Sequence, residues 1–262
     1  MAAEPNLKIH VHRQAGTIVL NRPEKRNALS RRLLTDMLEA LDDLHRQKSV
    51  RAVILTGSGT AFCSGMDLGE MLETSRQDNA LEAWRADAAL YRDVVEAMLR
   101  FPKPIIAAVG GPAAAGGAGL ILACDIVVAA PEATFGLPEP RRGLIAGVVA
   151  PLLAFRAGGG YAAYLLMTAR TIDAPEAHRA GIFHELVGSE QVWARAMELA
   201  DECGKLAPES LQLTKRMLNE TIGEALTAQL TAGAAASATA RTTAAAAEGM
   251  AAFLEKRDPH WQ

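Results

Sequence analysis

Two glycine-rich loops are the segments of this sequence whose composition suits chemistry. Residues 57–67 read Gly-Ser-Gly-Thr-Ala-Phe-Cys-Ser-Gly-Met-Asp, and residues 110–117 read Gly-Gly-Pro-Ala-Ala-Ala-Gly-Gly. Because glycine has no Cβ, such loops let backbone approach a ligand closely. The second loop runs into a predicted helix, whose first N–H groups and dipole favour negative charge. Two N–H groups converging on a carbonyl oxygen would form an oxyanion hole, and the alternative is that small residues merely allow tight packing.

Several other kinds of site lack their motifs. The glycines at 116, 117 and 119 are not followed by the third glycine of a dinucleotide fingerprint, and no GxxxxGK[ST] phosphate loop occurs. Neither Ser58 nor Ser64 stands in GxSxG, so a hydrolase with a nucleophile elbow is unsupported. The six histidines include no HExxH and the three cysteines no CxxC. We therefore expect no metal site and no disulfide framework.

Composition narrows the class of protein further. The chain has 262 residues, of which 50% are apolar and 22% charged, and its net charge is −3. This balance excludes extensive disorder, and without a basic block we expect no nucleic-acid partner. The apolar stretch from Ile105 to Ala130 holds too many glycines for a membrane span, so we expect no membrane partner. The first residues do not resemble a secretory signal, which predicts a cytoplasmic setting.

The elements that must position the two loops alternate between strands and helices. Apolar runs predict strands at Leu7–His12, Thr17–Leu20, Ala52–Thr56, Ile105–Val109, Ile126–Ala130 and Ile182–Val187, with a turn at residues 14–16. Ser30 and Asp173 are predicted helix caps, and Gly116–Cys124 a helix of small residues. From Ser189 onward every segment reads as helix. We predict an α/β core over residues 1–188 and a helical region over residues 189–262.

Six segments occur in an order and spacing that together identify one family. They are Asn21–Leu29, Ala61–Leu68, Lys103–Val109, Cys124–Ile126, Phe135–Glu139 and Phe253–Pro259. With them, nearly the whole chain resembles the crotonase superfamily, which includes enoyl-CoA hydratases and isomerases. The resemblance implies a spiral of ββα turns with a C-terminal helical trimerisation region. It also implies self-association into a homotrimer, or into a hexamer of two stacked trimers.

The resemblance further implies an acyl-CoA substrate, with coenzyme A as part of the substrate and no separate cofactor. The thioester oxygen would be held by the backbone N–H groups of Ser64 and Gly116, which stabilise a thioester enolate. Arg26 and Ala28 fall where coenzyme A is contacted, and Lys256 where a basic residue can reach its nucleotide end. For both charged residues, the alternative is a solvated surface charge. The remaining predicted substrate-binding residues are Gly65, Met66, Asp67, Leu68 and Gly119.

Hydratases of this family usually place two glutamates beside the reacting carbons. Here the position three residues after Gly116 is Gly119, whereas Glu139 keeps the other glutamate. A single carboxylate leaves three hypotheses open: hydration, Δ3-Δ2 isomerisation, and acyl-CoA binding without catalysis. Glu139 itself would, without the resemblance, be read as a solvated loop charge. We expect a side chain at position 119 to point across the pocket, so that Gly119→Glu raises hydration of crotonyl-CoA. Residues 69–95 are expected to shape that pocket.

Overall fold

A six-stranded sheet forms the centre of the structure, a computed structural model that describes residues 5–261, without the side chain of residue 222. Its strands are β1 (Leu7–His12), β2 (Ala15–Leu20), β3 (Ala52–Gly57), β4 (Ile105–Val109), β6 (Ile126–Ala129) and β9 (Glu185–Leu186). They lie in the order β1-β2-β3-β4-β6-β9. Only β1 and β2 pair antiparallel, and all other neighbours run parallel. The short strands β5 (Ala113–Ala114), β7 (Thr134–Gly136) and β8 (Thr171–Asp173) make a second sheet in the order β5-β7-β8.

Eleven helices in the described part of the chain surround these sheets. They are α1 (Arg31–Arg46), α2 (Leu68–Ser75), α3 (Ala80–Arg100), α4 (Gly116–Ala123), α5 (Val149–Ala157), α6 (Gly159–Thr168), α7 (Ala174–Arg179), α8 (Val192–Gly204), α9 (Pro208–Arg216), α10 (Glu224–Ala240) and α11 (Ala244–Glu255). Both predicted caps are confirmed. The Ser30 hydroxyl accepts a hydrogen bond from the Leu33 N–H at 3.2 Å, and the Asp173 carboxylate accepts one from the Glu176 N–H at 2.9 Å.

The alternation of side chains along β3 shows how the sheet is covered on both faces. Val53 and Leu55 belong to the main core, which α1, α3 and α4 build on one face, whereas Ile54 faces α8 on the other. Because both faces are buried, β3 and β4 are continuous apolar runs. Helix α10 contributes Leu226 and Leu230 to the main core. The predicted core and the predicted helical region therefore share one core, although their boundary falls between β9 and α8.

Several predicted boundaries differ from the observed ones. The turn between β1 and β2 consists of Arg13 and Gln14, with Arg13 at φ 53°, so that Ala15 already pairs with His12 in β2. The predicted strand Ile182–Val187 shrinks to β9, because the N–H groups of Ile182 and Phe183 bond to the Ala177 carbonyl and close α7. The stretch from Ile105 to Ala130 divides into strands, glycine loop and short helix as predicted. No helix within residues 5–261 is long and apolar enough to cross a bilayer.

Candidate active site

Backbone hydrogen bonds join the two glycine loops to each other. The Ala114 N–H donates to the Cys63 carbonyl at 2.9 Å, and the Phe62 N–H donates to the Pro112 carbonyl at 3.0 Å. Cys63 and Ala113 form an isolated parallel bridge between the loops. The end of the first loop is thereby held against the start of α4.

Glycine is required where the loops approach most closely. Gly65 has φ +91°, and a Cβ there would lie 2.6 Å from the Ala115 Cβ and 3.0 Å from the Gly116 nitrogen. A Cβ on Gly117 would lie 2.7 Å from the Cys63 Cβ. Both distances are shorter than carbon contacts allow, so side chains at these positions would push the loops apart. Gly65 thus acts by letting backbone approach, and its own residue does not line the cavity described below.

The Gly116 N–H is free at the start of α4. No acceptor among the described residues takes it, as expected for a first-turn helical N–H. Ala115, the residue before it, has φ +52° and donates its own N–H to the Gly136 carbonyl at 2.9 Å. A non-glycine residue in this region of φ is strained, and such strain is common where backbone is held for a ligand. The arrangement leaves a helix N-terminal donor available to an anionic oxygen.

The Ser64 N–H, the second predicted donor, is already engaged. It donates to the carbonyl of Arg26 at 3.0 Å. Arg26 is itself held at φ 50° and its side chain is exposed. A thioester oxygen would therefore have to share this donor with the Arg26 carbonyl, whereas Gly116 offers its N–H without competition. Ser64 as an oxyanion donor remains a prediction.

Glu139 is buried, which excludes the alternative of a solvated loop charge. It begins a short 3₁₀ turn at Glu139–Arg142, its exposure is 8%, and its Oε2 has no hydrogen-bond partner within residues 5–261. Burial raises the pKa of Glu139 to about 7, opposed by its own backbone N–H and by the charge of Arg142. A carboxyl group poised near neutral pH suits proton transfer.

A cavity of about 70 Å³ joins the two loops, α2, α3, the segment 139–149 and the end of α10. Of the predicted site residues it brings together Ser64, Met66, Leu68, Gly116 and Glu139. The residues that sequence reasoning missed include Tyr91, Arg142, Ser237 and Arg241, together with Met71, Ala88, Ala115 and residues 144–149. Leu68, Met71, Ala88 and Tyr91 fall in or beside the range that was expected to shape the pocket. Glu139 is the one carboxylate that lines the cavity in the described part of the chain.

Asp67 and Ala28 support the first loop from outside the cavity. One Asp67 carboxylate oxygen caps α2 by accepting the Gly69 N–H at 3.0 Å, and the other pairs with Arg22 at 2.9 Å. The same Arg22 guanidinium donates to the Ala28 carbonyl at 2.5 Å. The Asp67 side chain is thus occupied in holding α2, which leaves it no free oxygen pointing at a substrate in this structure.

Lys256 ends α11 and is exposed, away from the cavity lining. Helix α11 packs against the Glu139 turn, because the backbone of Gly249 contacts that of Arg142 too closely to admit a Cβ. The Arg142 guanidinium lies over the Phe253 ring, 4.2 Å from its centroid. Helix α11 therefore helps to bury Glu139, and the role of Lys256 at coenzyme A stays a prediction.

Tyr91 fills the space beside Gly119. Its hydroxyl donates to the Gly116 carbonyl at 2.6 Å, and its exposure is 5%. A Cβ at position 119 would overlap this hydroxyl and lie 2.8 Å from Val149 Cγ2. Position 119 does face residues of the cavity wall, but the phenol occupies the room in which a glutamate was expected to fit. Burial raises the pKa of Tyr91 well above its usual range, so the hydroxyl stays protonated.

The overlap at position 119 predicts an energetic coupling between Gly119 and Tyr91. We expect Gly119→Ala to lower the free energy of unfolding by about 1–3 kcal/mol, the usual cost of overpacking. In the Tyr91→Phe background the hydroxyl is gone, so the same substitution should cost less. Urea unfolding of the wild type, both single variants and the double variant measures the difference. Additive effects would show that the phenol does not occupy this space.

Comparisons with known proteins agree with this geometry. The sequence model of the family described as enoyl-CoA hydratase/isomerase matches residues 12–262. A Thermus thermophilus protein named "Putative enoyl-CoA hydratase" is 41% identical over 244 residues, which cover 93% of this chain and 96% of that protein. The 1,2-epoxyphenylacetyl-CoA isomerase of Escherichia coli is 32% identical over 253 residues, with 96% of each chain covered. The crystal structure of an enoyl-CoA hydratase/isomerase from Xanthobacter autotrophicus Py2 superposes with a TM-score of 0.88 at 29% identity, covering 98% of both chains.

This chain belongs to the enoyl-CoA hydratase/isomerase family, within the crotonase superfamily. The predicted fold, an α/β crotonase-like core with a helical C-terminal region, is confirmed. The family makes the chain an enzyme of the hydratase/isomerase type that acts on acyl-CoA.

Proposed function

We propose that this enzyme adds water to an enoyl-CoA with Glu139 as the single acid/base and the Gly116 N–H as the principal oxyanion donor. One observation carries the proposal. The buried Glu139 carboxyl, with an unpartnered oxygen, lines the same small cavity as the free helix N-terminus at Gly116. A base and an oxyanion donor across one dry cavity are the parts that enolate chemistry needs.

In the proposed reaction, ionised Glu139 takes a proton from a water molecule as the hydroxide oxygen bonds to the β-carbon. The electrons of the double bond move onto the thioester oxygen, where the enolate is stabilised by the Gly116 N–H. Protonated Glu139 then gives its proton to the α-carbon, and the carboxylate is restored. One water is consumed and no second carboxylate is needed.

Isomerisation is the second candidate, and the single carboxylate of the cavity favours it. Glu139 would remove a proton from the carbon next to the thioester carbonyl of a Δ3-enoyl-CoA. The same dienolate would be held at Gly116, and Glu139 would return the proton two carbons further along the chain. Only the starting position of the double bond and the absence of an added water separate this reaction from hydration.

Arg26, Ala28 and Lys256 are the proposed contacts of coenzyme A, and the assembly is proposed to be a homotrimer or a hexamer. Exposed apolar side chains support self-association, because large apolar patches on a surface mark contact sites. They concentrate in the C-terminal region, at Leu206, Leu213, Met217, Leu218, Phe253 and Leu254. Light scattering coupled to size-exclusion chromatography would measure the number of subunits.

A panel of CoA thioesters tests the proposed function. Crotonyl-CoA and a Δ3-enoyl-CoA are incubated with the protein, and hydration and double-bond migration are followed separately by mass spectrometry and absorbance. Binding of butyryl-CoA by calorimetry is measured in parallel. Turnover of crotonyl-CoA to the hydroxyacyl product supports hydration, migration alone supports the isomerase, and binding with no turnover of either supports a non-catalytic binder.

The pKa of Glu139 predicts the pH profile of the reaction. Since the base must be ionised and its pKa is raised to about 7, kcat/KM should rise with pH and level off above pH 7. Below the inflection the slope should approach about tenfold per pH unit, as for one essential deprotonation. Initial rates with crotonyl-CoA at constant ionic strength give the profile. A flat profile between pH 5 and 8 would contradict Glu139 as the base.

A further inference from the structure

Arg241 is a buried cation without a partner in the wall of the cavity. It follows the end of α10, its exposure is 7%, and its Nη1 makes no hydrogen bond to any described residue. Burial lowers the pKa of Arg241 to about 10, so the guanidinium still carries its charge at neutral pH. A buried charged donor without an acceptor is costly, and it is found where a ligand supplies the missing acceptor.

The acidic group nearest to Arg241 is already paired with another arginine. Asp87 lowers the energy of the Arg241 charge, but both Asp87 carboxylate oxygens accept hydrogen bonds from Arg31, at 2.6 and 2.8 Å. Two guanidinium groups therefore share one carboxylate. Arg142 adds a further positive charge to the cavity wall, against the single carboxyl of Glu139. The lining carries an excess of positive charge that an anion would neutralise.

The two arginines of the lining lie at different places relative to the reacting centre. Arg142 follows Glu139 in the same 3₁₀ turn, and its charge acts on the Glu139 carboxyl. The charges that act on Arg241 are instead those of Asp87 and Arg31, from α3 and α1. Tyr91 stands one helical turn beyond Asp87 and bonds to Gly116. Arg241 thus marks the part of the cavity beyond Tyr91, away from Glu139.

We propose that the acyl group of the natural substrate ends in a carboxylate, which Arg241 binds at the far end of the cavity. This inference rests on the proposed function, since it names the class of acyl-CoA that this same site takes. The distal carboxylate supplies the acceptor that Nη1 lacks and neutralises the surplus charge. Met66 and Met71 line the cavity between its walls and can change rotamer to admit the chain.

The test compares substrates that differ only at the far end. Glutaconyl-CoA ends in a carboxylate, its methyl ester is neutral, and crotonyl-CoA is the short neutral reference. We expect the wild type to prefer glutaconyl-CoA to the ester in kcat/KM by about 10- to 100-fold, the worth of a hydrogen bond to a charged group. Arg241→Met keeps the apolar stem and removes the charge, so it should abolish this preference while little changing the rate with crotonyl-CoA. Arg241→Lys, which keeps the charge, should restore part of it.

Binding of saturated analogues separates this inference from the proposed function. Calorimetry with glutaryl-CoA and butyryl-CoA needs no turnover, and Arg32→Met serves as the matched control because Arg32 is exposed on α1 and pairs with Asp36. Tighter binding of glutaryl-CoA that is lost in Arg241→Met alone supports the proposal. Equal affinity for both analogues, or an equal loss with both in a folded Arg241→Met, overturns it while turnover of crotonyl-CoA leaves the proposed function standing. If no thioester is bound or turned over, both proposals fail.

Discussion

Glu139→Gln is expected to lower kcat for the enoyl-CoA substrate by a factor on the order of 10²–10⁴, the usual contribution of a general acid/base. Glutamine keeps the length and shape of the side chain but neither takes nor returns a proton. Butyryl-CoA should bind to the variant about as tightly as to the wild type, because the proposed contacts of coenzyme A lie elsewhere. Stopped-flow rates and calorimetry on the same preparation measure both quantities. Full turnover by a folded Glu139→Gln variant would remove Glu139 from the mechanism.

The same substitution should also change how stability depends on pH. The pKa of Glu139 is raised from 4.5 to about 7 in the folded chain, so the folded state binds more protons than the unfolded state between these values. The free energy of unfolding therefore falls as pH rises through this window and is lower above pH 7. At about 1.4 kcal/mol per pKa unit, burying the ionised carboxylate costs on the order of 3 kcal/mol.

Glu139→Gln should accordingly be more stable than the wild type above pH 7, with the difference shrinking towards pH 4.5. Glu39→Gln is the matched control, since Glu39 is exposed in the middle of α1. Urea unfolding of the three proteins at several pH values gives the comparison. A variant that loses activity and gains stability shows that Glu139 is kept buried for chemistry rather than for the fold.

The glycine loops and the main strands could be predicted from the sequence because their signals are local. A buried parallel strand such as β4 is an uninterrupted apolar run, and a loop that must approach another backbone needs glycine wherever it does so. Strands β7, β8 and β9 have two or three residues each, too few to show a period of two. Their pairing is decided by the rest of the sheet.

The cavity wall could be predicted only in part because distant segments build it. Residue types alone gave Glu139 as a solvated loop charge, and only the family resemblance selected it. Its burial depends on α11, which is more than a hundred residues further along the chain. Tyr91 and Arg241 sit on long helices whose periodicity predicts a buried face but not which neighbour that face meets. Gly119 was correctly placed towards the cavity wall, whereas the phenol that fills its space comes from α3 and has no local signal.

The second large effect is expected from removing the free N–H at Gly116. Residue 116 is the first residue of α4, a position where proline fits the helix, and its N–H has no acceptor among the described residues to lose. Gly116→Pro therefore deletes the proposed oxyanion donor and spares every hydrogen bond that the described chain makes. Loss of one such donor costs on the order of 10²–10³ in kcat. Because the donor meets the enolate more strongly than the ground-state thioester, kcat should fall more than KM rises.

Gly116→Ala is the matched control, because it keeps the N–H. Its Cβ would lie 3.3 Å from Leu29 Cδ1 and 3.4 Å from the Tyr91 ring, a contact that small shifts of these side chains relieve. Proline restricts the residue before it, and Ala115 is already held at φ +52°, so circular dichroism and butyryl-CoA binding must first show that the proline variant is folded. We then expect Gly116→Ala to retain most of the turnover that Gly116→Pro loses. Equal turnover in the two folded variants would mean that the thioester oxygen is held by another donor, for which the Ser64 N–H, released from the Arg26 carbonyl, is the next to test.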